Sequence, residues 1–134
     1  MANVILSIIT RIKFSVTLLM LLIFFSLFSC SNSITSIFIT NETIDLGEIK
    51  KANLIKAKFE IKNVGNNELL IKKIYADCIC TKVSIEKYEA KPNEVIFAQA
   101  WYNNQILGPF QQLIFLEGNT HPTRHILIIK GKVI

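Results

Sequence analysis

A chain of 134 residues has room for one domain at most. Its formal charge of +5 falls to +3 once residues 1–30 are set aside, since they hold Arg11 and Lys13 but no acid, leaving 13 basic side chains against 10 acidic. The remaining lysines alternate along apolar stretches instead of clustering, which argues against a nucleic-acid partner. Abundant Phe, Ile and Leu argue against a disordered chain.

Residues 1–30 have the layout of an export signal. Phe14 to Phe28 runs 15 residues without a charge behind the basic Arg11 and Lys13. That length falls short of the roughly 20 apolar residues a bilayer span needs. Ser26-Leu27-Phe28-Ser29-Cys30-Ser31 then resembles a bacterial lipoprotein lipobox, with Leu27 three positions before the cysteine and the small Ser29 directly before it. The resemblance implies that Cys30 becomes a lipidated new amino terminus, a role suited to a nucleophilic thiol. An uncleaved signal anchor is the competing reading. The expected organisation is a lipoprotein signal peptide over 1–30, a tether over 31–42, and a β domain over 43–134.

Within that domain the clearest element is Ile55 to Lys62, where Ile55, Ala57, Phe59 and Ile61 alternate with Lys56, Lys58, Glu60 and Lys62. A period of two with every charge on one side predicts a half-buried strand with a wet face. Before it, Ile37 to Ile39 reads as a small strand in the tether, and Thr43 to Ile49 as a strand ending at a Lys-Lys-Ala-Asn turn. After it, Asn63 to Glu68 is a turn rich in Gly and Asn, and Leu69 to Ala76 a strand leading into two cysteines. Thr81 to Ile85 and Val95 to Tyr102 follow as strands, the latter with Ile96, Ala98, Ala100 and Tyr102 on one side and Trp101 on the other. Gly108 to Leu116 and His125 to Ile134 close the chain. About seven strands with regular turn signals and no helical period predict an immunoglobulin-like antiparallel β-sandwich.

Motifs for chemistry are few. The chain has no Ser-His-Asp arrangement with recognisable flanks, no phosphate-binding glycine loop and no paired carboxylates in a plausible pocket. We expect no enzyme and no cofactor. Trp101, Tyr102 and Phe110 read as core aromatics sooner than as a sticky patch.

The order of short motifs resembles the domain-of-unknown-function 1573 family, related to Hydin-type immunoglobulin-like domains. Asp45-Leu46-Gly47-Glu48-Ile49, Phe59 through Asn63-Val64-Gly65, Leu69-Leu70-Ile71, Ala76-Asp77-Cys78-Ile79-Cys80-Thr81, Gly108-Pro109-Phe110 and Leu127 to Val133 carry it. The chain departs at Ile79, where a Gly is usual between the cysteines, at Glu68, where a Pro is common, and at Pro92-Asn93-Glu94, where Asn stands in for a turn Gly. The resemblance implies a small exported or lipid-anchored β-sandwich without an established activity. The expected location is a bacterial envelope, at the outer membrane facing the periplasm, with the membrane met through the lipid and an envelope protein as partner.

Cys78 and Cys80 form the candidate thiol or metal site. They suit a soft-metal grip, a redox pair, a disulfide, or two plain structural side chains. On a regular strand their Cα atoms would lie about 6.6 Å apart, too far to bridge without a turn. β-Branched Ile79 disfavours a positive φ, so an internal bridge is expected to be harder than with Gly between them. His121 and His125 are the accessory metal ligands a zinc site would need, and Pro122 between them argues against their sharing a helix face.

Overall fold

A computed structural model of the chain describes Lys13, Val16, Leu19 and Met20, all helical, together with residues 33–51, 54–103 and 106–134. The chain divides into two units, Met1–Asn32 and Ser33–Ile134. Most of the expected signal peptide, Cys30 included, lies outside the described residues. No helix among those described is long and apolar enough to cross a membrane.

The second unit is an all-β sandwich of nine strands: β1 (Ile37–Ile39), β2 (Thr43–Ile49), β3 (Ile55–Asn63), β4 (Leu69–Ala76), β5 (Thr81–Ile85), β6 (Glu89–Ala90), β7 (Val95–Tyr102), β8 (Gly108–Gly118) and β9 (Arg124–Val133). One sheet has the order β1-β3-β7-β5 and the other β2-β9-β8-β4-β6. The alternation in β3 behaves as its sequence requires. Ala57, Phe59 and Ile61 are buried, while Lys56, Lys58 and Glu60 face water. β7 supplies Ile96, Ala98 and Ala100 to the same core, and β8 and β9 answer from the facing sheet with Ile114, Leu116, Leu127 and Ile129. Two inner faces meeting over such a layer is the standard construction of a sandwich.

Three features depart from expectation. β2 pairs with β9 in parallel, so the second sheet is mixed where an antiparallel one was expected. The pairing slips between Asp45 and Glu48. There Gly47 takes a φ of +62°, open to glycine at little cost, and its N–H donates to Asp45 Oδ1 at 2.9 Å. The two-residue β6 carries too little pattern to be read from sequence. Finally, residues 33–42, expected as a tether, belong to the sandwich from Ser33 on: Thr35 is buried and forms a bridge with Thr120, and Ile39 joins the core. The small strand read at Ile37 to Ile39 is present as β1, but three residues of alternation do not disclose that it pairs with β3.

The entry of the chain into the sandwich is fixed by polar contacts. Asn63, at 0% exposure, donates from Nδ2 to the carbonyls of Asn67 (2.8 Å) and Ala90 (2.9 Å). Its Oδ1 accepts from the Thr35 hydroxyl at 2.8 Å and from Gly65 N–H at 3.1 Å. All the hydrogen-bonding capacity of the amide is used. Gly65 packs so closely on the entering chain that a Cβ there would lie 2.2 Å from Thr35 Oγ1 and 2.6 Å from Ser36 N. Asn119 completes the clamp, donating from Nδ2 to Ser33 O at 2.7 Å while Thr35 N–H donates to Asn119 O at 2.9 Å. The Asn-x-Gly run therefore marks where the chain enters. At the neighbouring 91–94 turn, Asn93 has a φ of +67°, as expected of an asparagine replacing glycine.

Candidate functional site

The turn carrying the cysteines links β4 of one sheet to β5 of the other, well away from the entry clamp. β4 leaves its sheet at Asp77, whose N–H donates to Leu113 O at 3.0 Å. The Asp77 carboxylate accepts from Leu113 N–H at 3.1 Å, taking the acceptor role a strand carbonyl would fill. Beyond it, Thr81 N–H donates to Cys78 O at 3.0 Å, closing a β-turn over Cys78, Ile79, Cys80 and Thr81. Asn103 N–H donates to Cys80 O at 3.1 Å, tying the turn to the end of β7. Thr81, itself buried, donates from its hydroxyl to Gln112 Oε1 on β8 at 3.1 Å. Both sheets hold the turn.

Cys78 and Cys80 are joined by a disulfide, with Cα atoms 5.2 Å apart. This corrects the expectation that Ile79 would hinder an internal bridge. Among described non-glycine residues only Asn93 has a positive φ, so the turn closes while Ile79 stays out of that region. The error lay in treating positive φ as the one way to bring the two Cα atoms together, when a β-turn with ordinary φ values does so. Cys80 N–H also donates to Cys78 Sγ at 3.2 Å. The bridge closes a very short loop, and the chain-entropy relation then gives it only about 1.5 kcal/mol of stabilisation. Its main effect is to set the shape of the turn. Both cysteines are half-buried, and Ile79 between them stands fully in water, at 101% exposure.

The histidines do not join this site. His125 on β9 pairs with Leu116 of β8, whereas Cys80 Sγ lies 3.4 Å from Gln112 Oε1, four residues back along β8 and roughly 13 Å of strand away. A zinc–nitrogen bond needs about 2 Å. His125 instead sits at the entry end, with Nε2 3.0 Å from Thr120 Oγ1, and burial lowers its pKa below 6.5. His121 is exposed on the turn before it, ahead of a cis Pro122. With its thiols in a disulfide, the pair offers no thiolate to a metal in this state. Among the described residues no group of three or more His, Cys, Asp or Glu side chains is placed to hold a metal ion.

Sequence reasoning missed Gln112 and Asp77, which hold the turn from the neighbouring strand. The signal for Asp77 was present, as a carboxylate at a strand end often accepts a backbone bond. The aromatics divide. Tyr102 is buried and stacks on Phe110 with ring centroids 4.6 Å apart, as core aromatics should. Trp101 lies half-exposed on the outer face of the four-stranded sheet, across from Lys56 on one side and Lys82 on the other.

Solved structures share this architecture at low identity. A protein of unknown function from Porphyromonas gingivalis W83 superposes with a TM-score of 0.68 at 15% identity, over 78% of this chain and 50% of that one. The VesB protease of Vibrio cholerae gives 0.57 at 13% identity, over 74% of this chain and 31% of that one. The ASH/PapD-like domain 7 of human CEP192 gives 0.51 at 14%, over 79% and 89%. The chain thus spans about half of the Porphyromonas protein and a third of the Vibrio one, and at these identities the likeness is one of fold. No curated protein matches the sequence. Residues 37–133, nearly the whole sandwich, match the family described as protein of unknown function (DUF1573), and the chain belongs to that family.

Proposed function

We propose that the chain is a non-enzymatic binding or scaffolding module of a bacterial envelope, lipid-anchored through Cys30 at the outer membrane and facing the periplasm. Its partner is another envelope protein, met at the cysteine turn and the neighbouring sheet edge. One observation carries the reading: Ile79 is fully exposed on the crest of a turn closed by a disulfide and tied to both sheets. An apolar side chain held rigidly in water contributes nothing to folding and is pre-organised for contact with a partner. The clamp formed by Asn63 and Asn119 lies at the other end of the sandwich from this turn.

The test is photo-crosslinking from position 79 in intact cells. A discrete envelope partner, lost when the crosslinker is moved to the exposed position of Val64 at the entry end, supports the reading. Diffuse labelling unaffected by the change would sink it. Radioactive fatty acid tests the anchor: Cys30→Ala should abolish incorporation, and retained label would remove the lipoprotein assignment.

The disulfide itself favours a second reading, thiol exchange with a partner, because a half-exposed bridge can be attacked by an external thiolate. The two readings separate on the Cys78→Ser/Cys80→Ser chain. Capture of the partner persists if the turn acts by shape and contact, and disappears if exchange is the function.

A further inference from the structure

The sandwich leaves one side open. Its other edges are blunted in ways natural sheets use to avoid unwanted pairing. β1 has three residues and β6 two, while β2 carries the slip at Gly47 and ion pairs from Asp45 to Lys130 (3.4 Å) and Glu48 to Lys132 (2.8 Å). β5 differs. It is the edge of the four-stranded sheet and runs from Thr81 to Ile85 in unbroken register with β7. Cys80 O and Glu86 N both bond toward β7. By the two-residue period of an antiparallel ladder, Lys82 and Ser84 do the same, and the N–H and C=O of Val83 and Ile85 point outward.

The side chains along this edge form an apolar seam. Val83 and Ile85 of β5 and Ile74 and Ala76 of β4, neighbouring strands of opposite sheets, are all only partly buried against the core. β4 is an edge here too, because β6 covers only Leu69 and Leu70. The seam is bounded at one end by the cysteine turn and at the other by the crossover from β5 to β6, whose Tyr88 O accepts from Ile71 N–H at 2.7 Å. That leaves room for a strand of about five residues, roughly 17 Å long.

The outer face beside the edge is charged. Lys82 stands at the rim, with Trp101 next to it on β7 and Lys56 beyond on β3. In the following row are Ser84, Gln99 and Lys58, the last with its Nζ 3.6 Å from the Phe97 ring centroid. Glu60 and Glu86 lie only at the level of Phe97. A lysine on an edge repels an apolar strand unless that strand brings an opposite charge to it.

We propose that β5 is a strand-addition site for an extended segment of a partner protein, with apolar side chains at alternate positions filling the Ile74–Ala76–Val83–Ile85 seam and an acidic residue opposite Lys82. The backbone groups of Val83 and Ile85 supply the pairing, the seam supplies apolar burial, and Lys82 with the adjacent Trp101 and Lys56 selects the acid. The site rests on the reading of the domain as a binding module and names which edge does the binding and what it takes.

The probe is a short capped peptide alternating valine with threonine, with one glutamate at a central threonine position. Hydrogen exchange of the full-length chain in detergent micelles should show the Val83 and Ile85 amides protected by it. A counterpart with lysine in place of glutamate should bind about tenfold more weakly, the difference between an opposite and a like charge across strands. Backbone N-methylation of the peptide, or Val83→Pro in the protein, should abolish the protection. Val83→Pro removes only an outward N–H and leaves the β5–β7 ladder intact, and an unchanged urea midpoint checks the fold. Equal binding of the glutamate and lysine peptides, or the absence of protection at β5, overturns the proposal. Crosslinking from position 79 keeps the two readings apart: a partner still captured there while β5 takes no peptide removes the edge site and leaves the binding module standing.

Discussion

The two ends of the sandwich are held by opposite means. At the entry end, Asn63, Thr35, Asn67 and Asn119 form a network in which every buried polar atom has a partner, and no covalent bond takes part. At the cysteine end a covalent bond joins residues two positions apart, and an isoleucine beside it is left in water. Intuition ranks the disulfide as the stronger device. The physical scale reverses that order, since a bridge over so short a loop restricts the unfolded chain little, whereas each orphaned buried polar group costs about 1–3 kcal/mol. The end built from hydrogen bonds should carry more of the stability, and the cross-linked end should be freer to change its surface.

Substitution at both ends tests that ranking. Asn63→Ala removes four hydrogen bonds at a buried position and takes from the Ala90 carbonyl its amide partner, while the Thr35 hydroxyl keeps Asn67 O and Gly65 N–H keeps Ser36 O, so the expected loss is about 2 kcal/mol in urea unfolding. A loss below that of the cysteine double variant would reverse the comparison. Cys78→Ser with Cys80→Ser should cost no more than about 1.5 kcal/mol, read the same way on the oxidised parent. The smallest effect concerns His125. Burial lowers its pKa below 6.5, so the folded state favours the neutral ring. Its contribution is fully present above the unfolded value of 6.5 and is lost as pH falls through the folded pKa. The parent should therefore lose more stability than His125→Gln between pH 7.5 and the onset of carboxylate titration; parallel pH profiles would contradict the assigned burial effect.

Much of the architecture was legible because the strands obey a strict period. β3 could be read from the sequence since Lys56, Lys58 and Lys62 fall on one side of it, and β7 since Ile96, Ala98, Ala100 and Tyr102 fall on the other. What alternation cannot carry is the identity of a neighbour. Thr43 to Ile49 announces a half-buried strand, but its parallel pairing with the last strand of the chain is a long-range choice with no local signal. The candidate site was legible as residues and misjudged as geometry. Cys78 and Cys80 were located at a strand end, yet the turn that joins them depends on Leu113, Asn103 and Gln112, all more than twenty residues downstream. The open side between β4 and β5 was likewise invisible. It arises because the two strands are consecutive in the chain yet belong to different sheets.

The position of Trp101 has a spectroscopic consequence. It is the only tryptophan of the chain, and it sits half in water on β7, directly across from Lys82. Tyr102, its neighbour in sequence, is turned into the core. Indole emission from the intact protein therefore originates at one place, one strand in from the open edge, and an acidic side chain brought up to Lys82 would alter the field around that ring. The fold thus carries an optical gauge of its own edge, read without any added label.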